Sequence, residues 1–346
     1  METLHMQDVI CLLGLPAPPA GKSSYYIPCP CCDDKPKSRH LNINLQKNVF
    51  RCPRCGFSGG VLDLYAFYAK IPREKALEEL LARKGRTIYP RQPSLPEVEE
   101  SPLTGVEERH ATYTALLQNL TLASDHRVNL QSRGLCPEEI HRLGYKTTPV
   151  LGFTSLAKHL REEGCYVAGV PGFYKEQDQW TLKFPGRGIL IPVRDQQKRI
   201  QGMQVRLDNV EKRKFRWLSS AGLPEGCGAK TWVHLAGEPR PLVLLTEGPM
   251  KADVIHFLTG QTVLAVAGVN SLSQLRPVLE ELRAAGMEQI MTAFDMDYLV
   301  NPHVQNGQEN LTHLLEECGI ACGTYLWDPR YKGLDDYIWG CLCDPK

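Results

Sequence analysis

Three acidic residues directly follow short apolar segments of the sequence. Glu247 comes after residues 242–246. Asp295 and Asp297 come after residues 290–294. Short apolar runs that stop at a turn are typical of buried strands in a parallel sheet. Because ligands of open α/β sheets bind beyond the carboxyl ends of the strands, we expect these carboxylates to meet at one sheet edge. Crowded oxygen ligands select Mg²⁺ or Mn²⁺, which serve phosphoryl transfer singly or in pairs.

Two further acids, Asp335 and Asp336, follow the last predicted strand, residues 321–326. We expect them to complete the acidic set. An aspartate after a strand is often only a helix cap, so no single acid is diagnostic. Lys251, in the first turn of the helix predicted after Glu247, either contacts phosphate or simply begins that helix.

A second candidate site consists of cysteines in two pairs, each pair with two residues between its members. The four are Cys29, Cys32, Cys52 and Cys55. Tetrahedral structural zinc favours thiolates spaced in this way. Cys31 and His40 are alternatives to Cys32, although Cys32 restores the two-residue gap. A closed four-thiolate site leaves no open position, so we expect one structural zinc ion and no catalysis by it.

The segment 182–217 is strongly basic, although the net charge of the whole chain is only +1. It contains ten Lys and Arg against three acids, a local charge of +7. A polyanion would bind here, and an exposed basic hairpin without a ligand is the alternative. Arg194 and Arg206 stand on either side of a predicted hairpin turn, and we expect them to face one groove.

The elements that would position these residues fall into four parts. Alternating apolar residues over 41–45 and 49–51 predict a small hairpin that carries the cysteines. Prolines predict a linker, and from residue 242 onward strands and helices alternate, which predicts a parallel sheet flanked by helices. We therefore expect a multi-domain α/β protein with a zinc ribbon over 1–83, a linker over 84–104, a mixed α+β basic core over 105–238 and a parallel α/β domain over 239–346.

Composition excludes several classes of protein. The 346 residues are 42% hydrophobic and 23% charged, as in globular proteins. Thirteen cysteines are too few for a disulfide scaffold. No basic region precedes the first apolar residues, and no run reaches the roughly 18–20 residues of a membrane span, so we expect a cytoplasmic protein without membrane contact.

Gly21-Lys22-Ser23 is not a phosphate loop, because Pro16 stands where that motif needs glycine.

The order of these parts resembles that of DnaG-type DNA primases, in a form similar to phage and mobile-element proteins. The two cysteine pairs with Gly59-Gly60 resemble the CHC2-like zinc-binding domain of that family. Residues 131–135 resemble the start of the primase polymerase core, and residues 188–219 resemble its basic strands. Three acidic motifs resemble the Toprim domain of that family: Glu247-Gly248, Asp295-x-Asp297 and Asp335-Asp336.

The chain departs from the family pattern in three respects. Cys32 stands where the family usually has His, an exchange that zinc tolerates. Lys251 stands where the family usually has an acid. Met296 and Tyr298 stand where it often has Gly. Two of these departures fall within the acidic set.

The resemblance implies synthesis of short RNA primers on a single-stranded DNA template from nucleoside triphosphates, by Mg²⁺-dependent nucleotidyl transfer. Glu247, Asp295 and Asp297 would be catalytic and would bind the metal ions together with Asp335 and Asp336. The residues implied to hold template or triphosphate are Arg187, Arg194, Arg206, Lys214 and Lys251. Because the chain ends soon after the Toprim-like region, we expect any replicative helicase partner to be encoded separately.

Two other functions remain open from the sequence. A Toprim nuclease or topoisomerase-like strand breaker would use the same acids, but no large domain is present to supply a nucleophilic tyrosine. A catalytically degenerate adaptor would bind single strands in a salt-dependent manner, even after loss of the acids.

Overall fold

The computed structural model describes residues 5–19, 21–32, 39–83, 99–210, 214–268, 272, 274–295 and 302–343. They belong to two compact units, Met1–Glu97 and Val98–Lys346. Each unit has hydrophobic clusters of its own. Most of the expected linker, residues 84–98, lies outside the described residues, as does Asp297.

The first unit is built on an antiparallel sheet with the strand order β1-β2-β3-β4. Its strands are β1 Ser24–Ile27, β2 Leu41–Asn44, β3 Val49–Arg51 and β4 Ser58–Gly60. Its helices are α1 Met6–Leu12, α2 Val61–Ala69 and α3 Arg73–Arg83. Leu41 and Ile43 of β2 are buried while Asn42 and Asn44 are only partly buried, as expected for a strand with one face on a core.

The turn between β2 and β3 sets the register of this sheet. The Asn44 side chain accepts a hydrogen bond from the Lys47 backbone N–H at 2.8 Å, and Asn48 has a φ of 52°. Asparagine tolerates both the side-chain turn and the left-handed conformation. In the resulting register Ile27 pairs with Leu41, and Arg51 pairs with Asn42. The ends of β1 and β3, where the two cysteine pairs follow, therefore flank the start of β2.

The second unit begins with helices and an antiparallel sheet of the order β10-β9-β8-β5, together with the hairpin β6-β7. The helices are α4 Val106–Gln118, α5 Ser124–Gln131, α6 Pro137–Leu143 and α7 Phe153–Glu162. The strands are β5 Lys146–Thr147, β6 Phe173–Glu176, β7 Gln179–Leu182, β8 Gly188–Arg194, β9 Ile200–Leu207 and β10 Phe215–Trp217.

A second sheet follows with the order β11-β13-β12-β14-β15, parallel except for β11. Its strands are β11 His234–Ala236, β12 Leu242–Glu247, β13 Thr262–Val266, β14 Gln289–Thr292 and β15 Ala321–Thr324. Its helices are α8 Pro249–Thr259, α9 Leu275–Ala284, α10 Pro302–Glu317 and α11 Leu334–Cys343. The expected fold class is thereby confirmed: an α/β protein with an N-terminal four-cysteine region, a mixed core and a parallel C-terminal sheet.

A hydrophobic cluster joins the antiparallel sheet to α8, a helix that flanks the parallel sheet. Ile189 and Ile191 of β8 pack in one cluster with Met250 and Val254 of α8. The next residue of β8 between them, Leu190, packs in a different cluster with Met203 and residues of α4. Because side chains alternate along a strand, one face of the antiparallel sheet covers α4 and the other covers α8. The parallel sheet is thus joined to the basic region through α8.

Residues 99–104, also within the expected linker, belong to the second unit and form hydrogen bonds inside it. Glu99 accepts a hydrogen bond from the Glu225 N–H at 2.7 Å, and Ser101 donates one to Gly226 at 2.8 Å. Thr104 donates one to Gly169 at 3.0 Å. None of the helices in the described part of the chain combines the length and the apolar character that a bilayer crossing requires.

Candidate functional site

The four predicted zinc ligands lie together in the first unit. The Sγ atoms of Cys29, Cys32, Cys52 and Cys55 are all within 4.8 Å of one another. The Sγ atoms of Cys29 and Cys55 are 3.6 Å apart, and those of Cys32 and Cys52 are 3.7 Å apart. A tetrahedral ion with Zn–S bonds of about 2.3 Å separates its sulfur ligands by about 3.8 Å. The donor set therefore fits a four-thiolate zinc ion.

Backbone turns hold each cysteine pair in this arrangement. The Cys32 N–H donates to the Cys29 carbonyl at 3.3 Å, and the Gly56 N–H donates to the Cys52 carbonyl at 3.0 Å. Cys31 is exposed and does not belong to the group of four, nor does His40. Burial raises the pKa of the Cys32 thiol to about 11, and the hydrogen bonds with Cys55 and Cys52 add to this rise. At neutral pH a bound cation is therefore needed to keep this ligand as a thiolate.

In the second unit, the ends of β12 and β14 deliver two of the predicted acids to the same edge of the parallel sheet. The Ala293 N–H donates to the Leu245 carbonyl at 2.8 Å, and the Thr246 hydroxyl donates to the Ala293 carbonyl at 2.9 Å. Glu247 closes β12, and Asp295 follows β14 by three residues. Adjacent parallel strands that stop together place these acids at one edge, as expected from their positions in the sequence.

Lysine side chains accompany Asp295 at this edge. The Lys251 ammonium, from the first turn of α8, forms an ion pair with Asp295 Oδ1. The Lys332 ammonium lies 3.7 Å from Asp295 Oδ2. Each carboxylate oxygen of Asp295 therefore faces a positive charge. Lys251, predicted to hold template or triphosphate, lies among the acids rather than along the basic strands.

Asp335, at the start of α11, is the most buried acid of the set. It is 2% exposed, and its Oδ2 lies 3.5 Å from the Arg133 guanidinium. Burial raises the pKa of the Asp335 carboxyl, whereas the charges of Lys251 and Arg133 oppose this rise. Asp336 is exposed beside it. Among the described residues, no three of these carboxylates bring oxygen atoms within 4.8 Å of one another, so the set is looser than the cysteine site.

Three of the predicted basic residues line one cavity of about 620 Å³: Arg187, Arg206 and Lys214. Arg187 is held by Asp125 at 2.9 Å and by Asp208, which also accepts a hydrogen bond from His126. Burial lowers the pKa of the Arg206 guanidinium, and the nearby charge of Arg133 lowers it further. Lys214 is exposed at the rim. Asp125 and Asp208 also line this cavity, so its three cations exceed its two acids by one charge, and we call it the basic cavity.

Arg194 does not belong to that cavity, and the expectation that Arg194 and Arg206 face one groove is wrong. Arg194 pairs with Ile200 beside the hairpin turn, whereas Arg206 pairs with Ile189 near the opposite end of the same hairpin. Arg194 lines a different cavity of about 460 Å³. Its guanidinium donates to the Lys198 carbonyl at 3.0 Å and to the Leu143 carbonyl at 3.4 Å. Two residues on neighbouring strands do not meet when the strand register places them at opposite ends of the hairpin.

A buried hydrogen-bond network borders the Arg194 cavity. The Arg194 backbone N–H donates to His234 Nδ1 at 3.0 Å, which leaves Nε2–H to donate to Asp253 at 3.0 Å. The other Asp253 oxygen accepts from the Tyr145 hydroxyl at 2.6 Å. All three side chains are at least 90% buried. Because both Asp253 oxygens have partners, this acid joins α8 to β11 and to Tyr145, the residue before β5.

Arg133, which was not among the predicted site residues, connects the basic cavity with the acids. It lies against Asp335 and near Arg206. Gly134, which follows it, has a φ of +97°, and a Cβ there would lie 2.7 Å from the Trp339 ring. Trp339 is one helical turn beyond Asp335 on α11, so this close approach of the backbone sets Arg133 beside Asp335. A glycine shortly after the end of α5 is the sequence signal for this turn.

Three buried side-chain atoms in the described part of the chain have no hydrogen-bond partner: Asn129 Oδ1, Arg133 Nε and Asp335 Oδ1. Asn129 lines the cavity that contains Arg206. Most buried polar atoms in folded proteins are paired, so each exception needs an explanation. The three atoms follow the path from the basic cavity to the acids, where a polar ligand or a cation would complete their bonding.

Comparisons with known proteins agree with this architecture. Residues 231–341 match the family described as Domain of unknown function (DUF3854). No curated protein matches the chain significantly. The crystal structure of the zinc-binding and RNA polymerase domains of the Aquifex aeolicus primase covers 98% of this chain and 81% of its own, with a TM-score of 0.52 and 16% identity.

Two further primase structures match a smaller share of the chain. The RNA polymerase domain of Mycobacterium tuberculosis DnaG covers 65% of this chain and 78% of its own, with a TM-score of 0.48 and 17% identity. The E. coli primase catalytic core covers 68% of this chain and 75% of its own, with a TM-score of 0.48 and 16% identity. The predicted likeness to DnaG-type primases is confirmed at the level of the fold.

Proposed function

We propose that this protein is a primase that synthesises short RNA primers on single-stranded DNA from nucleoside triphosphates, in the replication of a phage or mobile element. The observation that supports this most directly is the contact between the basic cavity and the acidic edge through Arg133. A template-directed polymerase must hold a polyanion next to the acids that bind its metal ions. The path from Arg206 through Arg133 to Asp335 meets that requirement.

Metal binding would involve Glu247, Asp295, Asp297, Asp335 and Asp336. The unpartnered Oδ1 of Asp335 fits a cation ligand, since a buried carboxylate oxygen without a donor gains most from one. Mg²⁺ or Mn²⁺ held there would neutralise phosphate charge and favour attack by a nucleotide 3′-hydroxyl. Arg187, Arg206 and Lys214 would hold template or triphosphate by charge, and Arg133 would position Asp335. Arg194, in the other cavity, is not on this path.

The direct assay is primer synthesis from labelled nucleoside triphosphates on single-stranded templates with Mg²⁺ or Mn²⁺. We expect short labelled products, and we expect Asp295→Asn to lower their yield by roughly 10²-fold or more, because an acid at the reacting centre is removed. Glu317→Gln is a matched control, since Glu317 is an acid of the same unit that pairs with Arg276 on the surface. A folded, zinc-loaded protein that makes no product on a range of templates would contradict the proposal.

A second candidate function is supported by the ion pairs of Asp295. If the lysines neutralise the acids permanently, the protein is a single-strand-binding adaptor that has kept the primase fold. It would bind single-stranded DNA with a strong salt dependence, and Asp295→Asn would leave that binding unchanged. Primer synthesis that depends on Asp295 separates the first function from the second.

A further inference from the structure

We infer that the Lys251 ammonium takes the place of one divalent ion at the acidic edge, so that this site binds a single Mg²⁺ or Mn²⁺ rather than a pair. The inference rests on the proposed function to the extent that the acids are the metal ligands. In this role the Lys251 ammonium supplies a positive charge that a second metal ion would otherwise supply.

The position of the Lys251 ammonium is the first argument. It forms an ion pair with Asp295, which follows β14. It also lies 3.4 Å from the point where a Cβ on Gly333 would be, and Asp335 Oδ1 is in contact with that same point. The ammonium is therefore next to carboxylates from two separate elements. In a two-metal centre, where the metals lie about 3.5–4 Å apart and share ligands, one of the metal ions has this position between carboxylates.

The absence of a side chain at residue 333 is part of this arrangement. A Cβ on Gly333 would come into contact with Asp335 Oδ1 and would also approach the Lys251 ammonium. Any larger residue would therefore displace one of the two charged groups. The turn before α11 is thus shaped to leave room for an ammonium group beside a buried carboxylate.

The balance of charge is the second argument. Four of the acids at this edge lie in the described part of the chain: Glu247, Asp295, Asp335 and Asp336. Three cationic side chains accompany them: Lys251, Lys332 and Arg133. These side chains neutralise much of the charge of the described acids, which weakens the electrostatic reason for two divalent ions. The Oδ1 atom of Asp335 still lacks a partner and remains available to one ion.

The side chains of Lys251 and Lys332 differ in how far they are exposed to solvent. The Lys251 side chain is 24% exposed, whereas that of Lys332 is 66% exposed at the same carboxylate. A surface ion pair contributes little because solvent screens it and the side chain loses entropy, whereas a half-buried pair is screened less. Lys251 therefore has the more persistent position, and Lys332 provides a matched control.

The test is the number of Mn²⁺ ions bound at the acidic edge, measured by calorimetric and spin-resonance titration of the zinc-loaded protein. We expect one ion for the native chain. We expect two for Lys251→Asp, which adds a carboxylate, and two for Lys251→Met, which only removes the ammonium. Lys332→Asp makes the same change of charge at the same acid and is expected to bind one ion. Circular dichroism of each variant checks that it is folded.

Several results would overturn the inference. They are two ions or none in the native chain, no additional ion in a folded Lys251 variant, or an additional ion in Lys332→Asp, which would make the effect one of net charge alone. These outcomes do not depend on primer synthesis. A native protein that binds one Mn²⁺ and makes no primers would reject the proposed function and leave the role of Lys251 standing, whereas two ions in an active primase would do the reverse.

Discussion

The cysteine site of the first unit and the acidic edge of the second unit are both candidate metal sites, but they are built in opposite ways. The cysteines come from two turns within 27 residues of chain, and their sulfur atoms lie within 4.8 Å of one another. The described acids come from β12, the end of β14 and α11, and lysine and arginine side chains lie between them. The cysteine sulfur atoms crowd against one another, whereas the acids are partly neutralised by cationic side chains of the protein.

This difference in neutralisation indicates what each site contributes to the stability of its unit. A closed set of thiols that crowd together without a cation depends on the metal for its structure. An acidic set that contains its own cations can remain folded without a metal and can exchange ions during a reaction. The same physical requirement, neutralisation of clustered ligands, would be met by a bound ion in the first unit and is met in part by side chains in the second.

The largest expected effect is on the cysteine side of the comparison. Cys52→Ser removes a fully buried ligand, and we expect loss of zinc and unfolding of the first unit, because structural zinc contributes roughly 10–16 kcal/mol to such folds. Zinc content and amide hydrogen exchange of residues 39–83 measure this. Cys31→Ser, in the adjacent turn but outside the group of four, is expected to keep both zinc and protection. Retention of zinc by Cys52→Ser would place the ion on other ligands.

At the acidic edge, loss of a ligand should lower the activity much more than the stability. We expect Asp335→Asn to lower primer synthesis by roughly 10²-fold while the free energy of unfolding changes by less than about 1 kcal/mol, since burial disfavours the charge that is removed. Asp253→Asn is the control, because Asp253 is equally buried but both of its oxygens accept hydrogen bonds. It should lower the free energy of unfolding by about 2 kcal/mol. Equal destabilisation by the two changes would make Asp335 a structural residue.

The smallest effect concerns the cations that face nucleic acid. We expect Arg206→Gln to weaken binding of single-stranded DNA and to reduce the slope of log K against log salt by about 0.7, the value for one phosphate contact. Arg194→Gln should leave that slope unchanged, since the Arg194 guanidinium is bound to backbone carbonyls beside another cavity. Fluorescence anisotropy over a range of salt concentrations measures both. Equal slopes for the two variants would mean that both cavities contact the strand.

The predictable part of the fold consists of features that act over short distances along the chain. Apolar runs ending at Glu247 and before Asp295 identified two strands of the parallel sheet, and the order of the modules suggested the primase fold. Asp297 lies outside the described residues, so its expected role stays a prediction.

The four cysteines and the acids at the strand ends could be predicted from the sequence, because two-residue spacing and apolar periodicity are local properties of the backbone. Three features became visible only in the folded chain: Arg194 and Arg206 are apart, Arg133 reaches Asp335, and Lys251 lies between carboxylates. Each of these depends on strand register or on the approach of α11 to α5 and α8, which the pattern of one segment does not contain. The acidic edge, which the sequence presented as a set of metal ligands, is a site where the protein supplies part of the positive charge.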